Sequence, residues 1–267
     1  MSYIRKLIII SCLAIIFASG CAVNPITGKT ELMLLSPDQD IEIGQAYAPE
    51  IKEQLGGPID DHQLQQYINR VGQSVAATSH RPEMPYEFTA VNEESLNALA
   101  LPGGPIFITK GMLLQLETED QLAGILAHEV AHVVARHGAA QMSRQIGMDI
   151  VLSAVVRDEA PRGAMTVAQV GRQIINLSYS RDQERQSDIA GIDYMVEAGY
   201  NPYGMQQVME MLEQAAGVRS IEFLSTHPSP ENRVQYINAR IRERYPQFDN
   251  VRTRTQDYNR NVLDRLN

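Results

Sequence analysis

Residues 124–138, GILAHEVAHVVARHG, set two histidines and a glutamate in a run of Ile, Leu, Ala and Val. Burying three polar side chains there is costly unless something binds them. Residues four apart share a helix face, so His128 and His132 point the same way and can grip one zinc ion. Glu129 stands beside them, where it can take a proton from an attacking water. The alternative is a pair of satisfied core histidines with an ion-paired glutamate. The apolar neighbours disfavour it, because a lone buried glutamate needs a strong partner.

A catalytic zinc usually has three protein ligands and one open position. One class of zinc protease extends the motif to H-E-x-x-H-x-x-G-x-x-H. Here Ala135 and Gly138 occupy the required glycine and histidine positions, which excludes that class. His137 is one residue off and reads as a helix-end residue. The other common solution is a glutamate from a later helix, and Glu159, Glu184, Glu197, Glu210 and Glu213 are candidates. Glu184 stands apart because Asp188 lies four residues on, on the same helical face. Together they would supply a ligand and an acceptor for the outer nitrogen of a zinc-bound histidine. Arg181, Asp182, Arg185 and Gln186 surround them, so a solvated charged face fits the same spacing. Spacing alone leaves those two readings level.

The elements around the motif follow from caps and periodicity. Thr118 and Gln121 have capping-box spacing and open the key helix. Gly138 closes it, with Arg136 and His137 in the last turn, where positive charge suits the dipole. Ser36-Pro37-Asp38 starts a helix predicted to reach about Ala48. A second spans Asp61 to Ala77, with Leu64, Tyr67, Ile68, Val71 and Val75 on one face. MPYEFTAVN alternates as a strand. PIFIT reads as another, at an edge where an extended peptide can pair by strand addition. Residues 142–156 and 165–179 read as helices too interrupted by charge to span a membrane. Helix continues through RDQERQSDIAGIDYMVEAG, recurs from Tyr203 to Ala216, and returns from Pro230 after a loop. The last twenty residues read as a loose tail. The fold class is α+β, mostly α-helical, with a small sheet beside the motif helix.

Composition bounds the rest. The 267 residues are 44% hydrophobic and 21% charged, as in an ordinary globular protein. A net charge of −9 argues against a nucleic-acid partner. The start is different: MSYIRK is basic, LIIISCLAIIF is a short apolar run, and ASGC ends at Cys21. This order reads as a secretory signal, and the run is too short to span a bilayer comfortably. ASGC resembles a bacterial lipobox, in which the cysteine is lipidated, although Ala18 stands where such boxes more often carry Leu. An uncleaved anchor helix is the alternative. Cleavage before Cys21 leaves it as the only thiol, which excludes thiol catalysis and cysteine-bound zinc. The expected organisation is a signal peptide over 1–20, a lipidated tether over 21–35, a metallopeptidase domain over 36–246 and a tail over 247–267.

Five stretches, NPITGKTELMLLS, NALALPGGPIFITKGML, LAHEVAHVVARH, YSRDQERQSD and STHPSPENR, span residues 24–233. Together they resemble the HtpX-like and CAAX-prenyl-protease-like zinc metallopeptidases, a gluzincin family. The resemblance is to the lipid-anchored periplasmic branch with its LoiP-like and BepA-like proteins, and also to the Oma-type catalytic domain. It implies one zinc per chain on His128, His132 and Glu184, with Glu129 as the catalytic glutamate. Asp188 matches the family's E-x-x-x-D, and His227 and Arg233 match its H-P-x-x-x-x-R element near the active site. Ser187 and Leu99 depart from the family, which often has Ala and an aromatic residue there. His227 and Arg233 are candidates to steady the oxyanion, with Tyr179 a weaker one; His227 as a fourth zinc ligand is the other reading. The implied activity is endopeptidase cleavage of misfolded or damaged envelope polypeptides, from a lipid anchor facing the periplasm, by resemblance in the outer membrane. A non-catalytic scaffold that binds envelope proteins is the competing function.

Overall fold

The computed structural model describes residues 21–145, 177–216, 221–248 and 254–266. In chain order they form β1 (Cys21–Val23), β2 (Thr30–Leu32), α1 (Pro37–Gln54), α2 (His62–Ala76), β3 (Glu87–Val91), β4 (Ala98–Ala100), β5 (Pro105–Thr109), α3 (Lys110–Leu113), α4 (Glu119–Val134), α5 (Arg181–Glu197), α6 (Tyr203–Ala216), α7 (Glu222–Thr226), α8 (Arg233–Arg244), α9 (Thr255–Tyr258) and α10 (Asp264–Leu266). A 3-10 turn (Pro246–Phe248) follows α8, and a π-type turn (Asn259–Leu263) links the last two helices. The expected signal segment, most of the two middle helices and Glu159 lie outside the described residues. No helix among the described residues is long and apolar enough to cross a membrane.

α4 is the axis of the fold. Thr118 caps it by accepting the Gln121 N–H at 3.1 Å, as the spacing predicts. The reciprocal half of the box is absent, because the Gln121 side chain accepts from the Glu117 N–H instead. Every residue from Glu119 to Val134 is buried, the condition of a core helix surrounded on all sides. α2, α5, α6 and β4 pack around it. At Gly191 of α5, a Cβ would lie 3.2 Å from Ala127 C and His128 N. The bare glycine lets α5 come close to α4 at the level of the motif.

The helix ends sooner than Gly138. Ala135 is its C-cap, and Arg136 adopts a left-handed conformation with φ of 58°. Residues 137–145 then restart as helix. A non-glycine residue there costs about 1–2 kcal/mol. The side chain is tied down there: Arg136 Nε and Nη2 donate to Asp40 of α1 at 2.5 and 3.0 Å, and Nη2 also to Leu35 O at 2.7 Å. α5 likewise starts afresh. Residues 177–180 are not helical, and Ser180 with Gln183 forms a full capping box.

The sheet order is β3-β5-β4, with β5 parallel to β3 and antiparallel to β4. PIFIT is therefore the central strand, not an edge. Its unbroken apolar run suits a strand covered on both faces, and all five residues are buried. The edge beside α4 is β4, hidden in NALAL, which the alternation signal passes over because it is only three residues long. Thr109 N donates to Asn97 O and Leu101 N to Pro105 O. Antiparallel alternation then turns the Leu99 amide toward β5 and those of Ala98 and Ala100 outward.

Both ends of the described chain are better anchored than expected. α1 runs on to Gln54, through Pro49. The supposed tether is a β1–β2 hairpin with an Asx turn at Asn24, and Met33 packs on Ala139 and Ala140. The supposed loose tail docks on the core. Tyr258 is fully buried and donates to Leu113 O at 2.6 Å, and Arg254 N donates to Asp120 at 3.0 Å at the start of α4. Tyr258 and Val262 are buried in the core, with Leu263 and Leu266 packed against it.

Candidate metal centre

Helical spacing brings His128 and His132 to one face, and their Nε2 atoms lie 3.0 Å apart. α5 delivers Glu184 to the same point: its Oε2 is 3.4 Å from His128 Nε2 and its Oε1 is 3.4 Å from His132 Nε2. His227, the C-cap of α7, enters from the other side, with Nδ1 3.0 Å from Glu184 Oε1 and 3.3 Å from His128 Nε2. The His227 ring stacks on Phe223, 4.2 Å between centroids and 7° between planes. One donor atom from each of His128, His132, Glu184 and His227 lies within 4.8 Å of the others, and all four residues are buried. Among the other candidates, Glu197 and Glu213 are exposed and Glu210 accepts from Gln206 on its own helix.

The charges argue that a cation belongs there. Glu129, Glu184 and Asp188 are three fully buried carboxylates, against one buried guanidinium, Arg233. That leaves a formal charge of −2 in a buried cluster, which a divalent cation cancels. Neither oxygen of Glu129 accepts a hydrogen bond. Burial, reinforced by Glu184, pushes the Glu129 carboxyl up, although His227 and His128 pull against it. Burial also opposes ionisation of Glu184, yet His227 and His128 hold it well below the usual carboxylate range. For His128 burial opposes the charged form, but Glu184 and Asp188 carry it up to about 9. Without a metal the carboxylates thus draw a proton onto a motif imidazole. A neutral-imidazole and carboxylate donor set of this kind suits zinc.

Behind the donors, Asp188 Oδ1 sits 3.0 Å from His128 Nδ1. Arg233 Nε and Nη2 donate to Asp188 at 2.9 and 2.7 Å, and Nη2 lies 3.1 Å from Glu184 Oε2. The Tyr236 hydroxyl also donates to Asp188. Two of the three guanidinium nitrogens of Arg233 are therefore spent on carboxylates that support the donors, and the third, Nη1, is buried without a hydrogen-bond partner. Arg233 was legible only as a motif residue, since its partners lie 45 and 49 positions away in the chain. His227 faces the reaction side instead, with Nε2 3.7 Å from Glu129 Oε1. Tyr179 packs its ring 3.9 Å from that of His132, and burial pushes its phenol up.

His137 is not in the last turn of α4; it opens the helical stretch that follows. It is fully buried, with Nδ1 3.1 Å from His132 Nδ1 and Nε2 3.3 Å from Gln186 Oε1. On an unbroken helix five residues would rotate it about 140° away from His132. The left-handed Arg136 resets that phase, and nothing in the spacing announces it. Burial pushes His137 down to about 4, so it is neutral. Tyr236, Gln186 and Phe223 are the other site residues that sequence reasoning missed. The Tyr236 position, three residues past Arg233 on α8, was the one available signal.

Cys21 is exposed on β1, far in the chain from this centre and outside it. The chain is similar to the "Beta-barrel assembly-enhancing protease" of Escherichia coli K12, 29% identical over 242 residues, which covers 86% of this chain and 49% of that protein. It is similar to the "Mitochondrial metalloendopeptidase OMA1" of Schizosaccharomyces pombe, 28% identical over 225 residues, 82% of this chain and 66% of that one. The OMA1 of Arabidopsis thaliana is 31% identical over 179 residues, 67% of this chain and 36% of its own. The chain spans about half the length of the first of these relatives. The family model for "Peptidase family M48" matches residues 62–241, about two thirds of the chain and all four donors. The chain belongs to peptidase family M48, a family of zinc metallopeptidases.

Proposed function

We propose that this chain is a zinc-dependent endopeptidase, with the metal held by His128, His132 and Glu184 and with Glu129 as general base. The observation that carries the reading is the buried −2 cluster closing on the motif while neither oxygen of Glu129 accepts a hydrogen bond. Zinc, when bound, supplies a Lewis acid that polarises the scissile carbonyl and acidifies water. Glu129 accepts the proton of the attacking water and returns it to the leaving amine, and its raised carboxyl pKa makes it a better base. His227 stands across from Glu129, where it either donates to the developing oxyanion or caps the resting metal. His227→Ala separates the two: slower cleavage means the first, faster cleavage the second. The non-catalytic scaffold reading leaves a buried Glu129 that accepts no hydrogen bond without a use. Metal analysis with casein digestion tests the whole: wild type holds one zinc and cuts, Glu129→Gln holds zinc and does not cut, His128→Ala does neither. Zinc bound by a wild type that cuts nothing, with His227→Ala equally inert, overturns the peptidase reading.

The substrate enters on β4. The outward amide of Ala100, beside the cleft formed by Leu101, Pro102, His132 and Tyr179, is placed to pair with an extended peptide. Backbone pairing reads little side-chain identity, so the substrates are unfolded or damaged polypeptides. Ala100→Pro removes one outward N–H at an edge that tolerates proline. It lowers kcat/KM about fivefold, the equivalent of one hydrogen bond. An unchanged value would remove β4 from the substrate path. We further propose that Cys21 carries a lipid and tethers the enzyme in the cell envelope, the outer membrane by resemblance. Labelled palmitate on wild type and none on Cys21→Ser is the expected result.

A further inference from the structure

The outer nitrogen of His132 is supported by a chain of hydrogen bonds in which the donor and acceptor of each link are fixed by the next. His132 turns Nε2 to the donor cluster, so its ring proton resides on Nδ1 and must be donated outward. The atom that meets it is His137 Nδ1, at 3.1 Å. Two N–H groups cannot face each other, so His137 leaves Nδ1 bare and carries its proton on Nε2. That proton points at Gln186 Oε1, 3.3 Å away. Gln186 Oε1 also accepts from Asn24 Nδ2 at 3.1 Å, and the same Asn24 amide nitrogen donates to Glu31 at 2.9 Å. The Asn24 orientation is fixed independently, because its Oδ1 accepts the N–H of Ile26 at 2.9 Å. Ser187 Oγ faces His137 Nδ1 too, but at 3.4 Å it is the weaker partner.

We propose that His137 is the positioning residue for zinc ligand His132, a neutral acceptor that holds it in the Nδ1–H form, and that the β1–β2 hairpin anchors this support through Asn24 and Gln186. The inference rests on the zinc reading above. A neutral acceptor is the choice the charges favour: a second carboxylate in this place would take the buried excess from −2 to −3. His137 controls the tautomer without adding charge, and the left-handed Arg136, pinned by Asp40, brings it into position.

The test is zinc affinity of the full chain, by competition with a chromophoric chelator, together with the visible spectrum of the cobalt(II)-loaded protein. His137→Phe keeps the ring and removes the acceptor; zinc binding weakens about 10- to 100-fold and the cobalt bands shift. His137→Asn places its Oδ1 near the lost nitrogen and restores both readouts, which a purely space-filling role would not do. Gln186→Leu leaves His137 in place, so it carries the test if the Phe variant does not fold; a loss of about tenfold is expected. Equal zinc affinity in wild type and His137→Phe, or equal weakening by Phe and Asn, or an unchanged Gln186→Leu, overturns the inference. A wild type that holds no zinc overturns the metal reading first, so the two failures are told apart.

Discussion

His128 turns its outer nitrogen to Asp188, whereas His132 turns its own to His137. The first flank is ionic: Asp188 is held by Arg233 and Tyr236, and Arg233 reaches on to Glu184. The second is neutral: imidazole, amide, amide, ending at Glu31 on the surface hairpin. Both flanks meet the same need, an acceptor for the imidazole N–H of a proposed ligand. They differ in what they depend on. An ionic support requires charge balance within the core, so α5 and α8 must both be in place. A neutral support requires correct orientation of each dipole, so it can run through a peripheral hairpin at little desolvation cost.

The comparison breaks most visibly at Arg233. Arg233→Met leaves Asp188 and Glu184 buried with no cation, and the metal-free protein loses about 3–5 kcal/mol in urea unfolding. Saturating zinc recovers part of it, since the metal then supplies positive charge. A loss below about 1 kcal/mol, the worth of an exposed pair, would show that the ionic flank does not depend on charge balance. Next in size, Asp188→Asn makes the ionic flank resemble the neutral one; zinc affinity falls about tenfold, measured by chelator competition. No change would mean that charge behind His128 is irrelevant and geometry alone matters.

The smallest effect is a control, Asp61 with Arg265, the same pairing of residue types at the surface. Asp61 caps α2 by accepting the Leu64 N–H at 2.9 Å. That bond, then Arg265, holds its carboxyl below the ordinary value of 3.8. A lowered folded-state value means the contribution is complete above the unfolded value and disappears as pH falls through the folded one. Asp61→Ala therefore costs about 1 kcal/mol at pH 7, the usual worth of a helix cap. The cost fades below about pH 3.8, as thermal melts across pH will show. A cost that does not shrink at all as the pH is taken below that point would refute the electrostatic account. A cost as large as that of Arg233→Met would erase the distinction between buried and exposed pairs.

What could be read from the chain was local or periodic. The motif helix, its Thr118 cap, the i to i+4 pair Glu184 and Asp188, and α6 from Tyr203 to Ala216 all stand where spacing puts them. The failures share a cause. His137 was misplaced because one residue outside the right-handed region changes the helix phase, and dihedral angles leave no trace in composition. β4 is too short to alternate, and PIFIT looks the same at an edge or at the centre until its neighbours are known. The segment after residue 247 reads as tail because polar residues outnumber the few that anchor it, yet Tyr258 is buried completely. Arg233 owes its role to partners on another helix, which no window of sequence contains.

Arginine at 136 has one more implication. Most chains that turn left after a helix spend a glycine there, and gain shape without attachment. Here the corner and its moorings reside in one side chain, so they can be uncoupled by exchange. Glycine at 136 would preserve the bend while cutting it loose from α1; removing the carboxylate of Asp40 would keep the arginine but leave it only the bond to Leu35 O. The loop that follows the catalytic motif is thus a joint with a removable pin, and loosening it would allow the hairpin and the metal to drift apart without touching either.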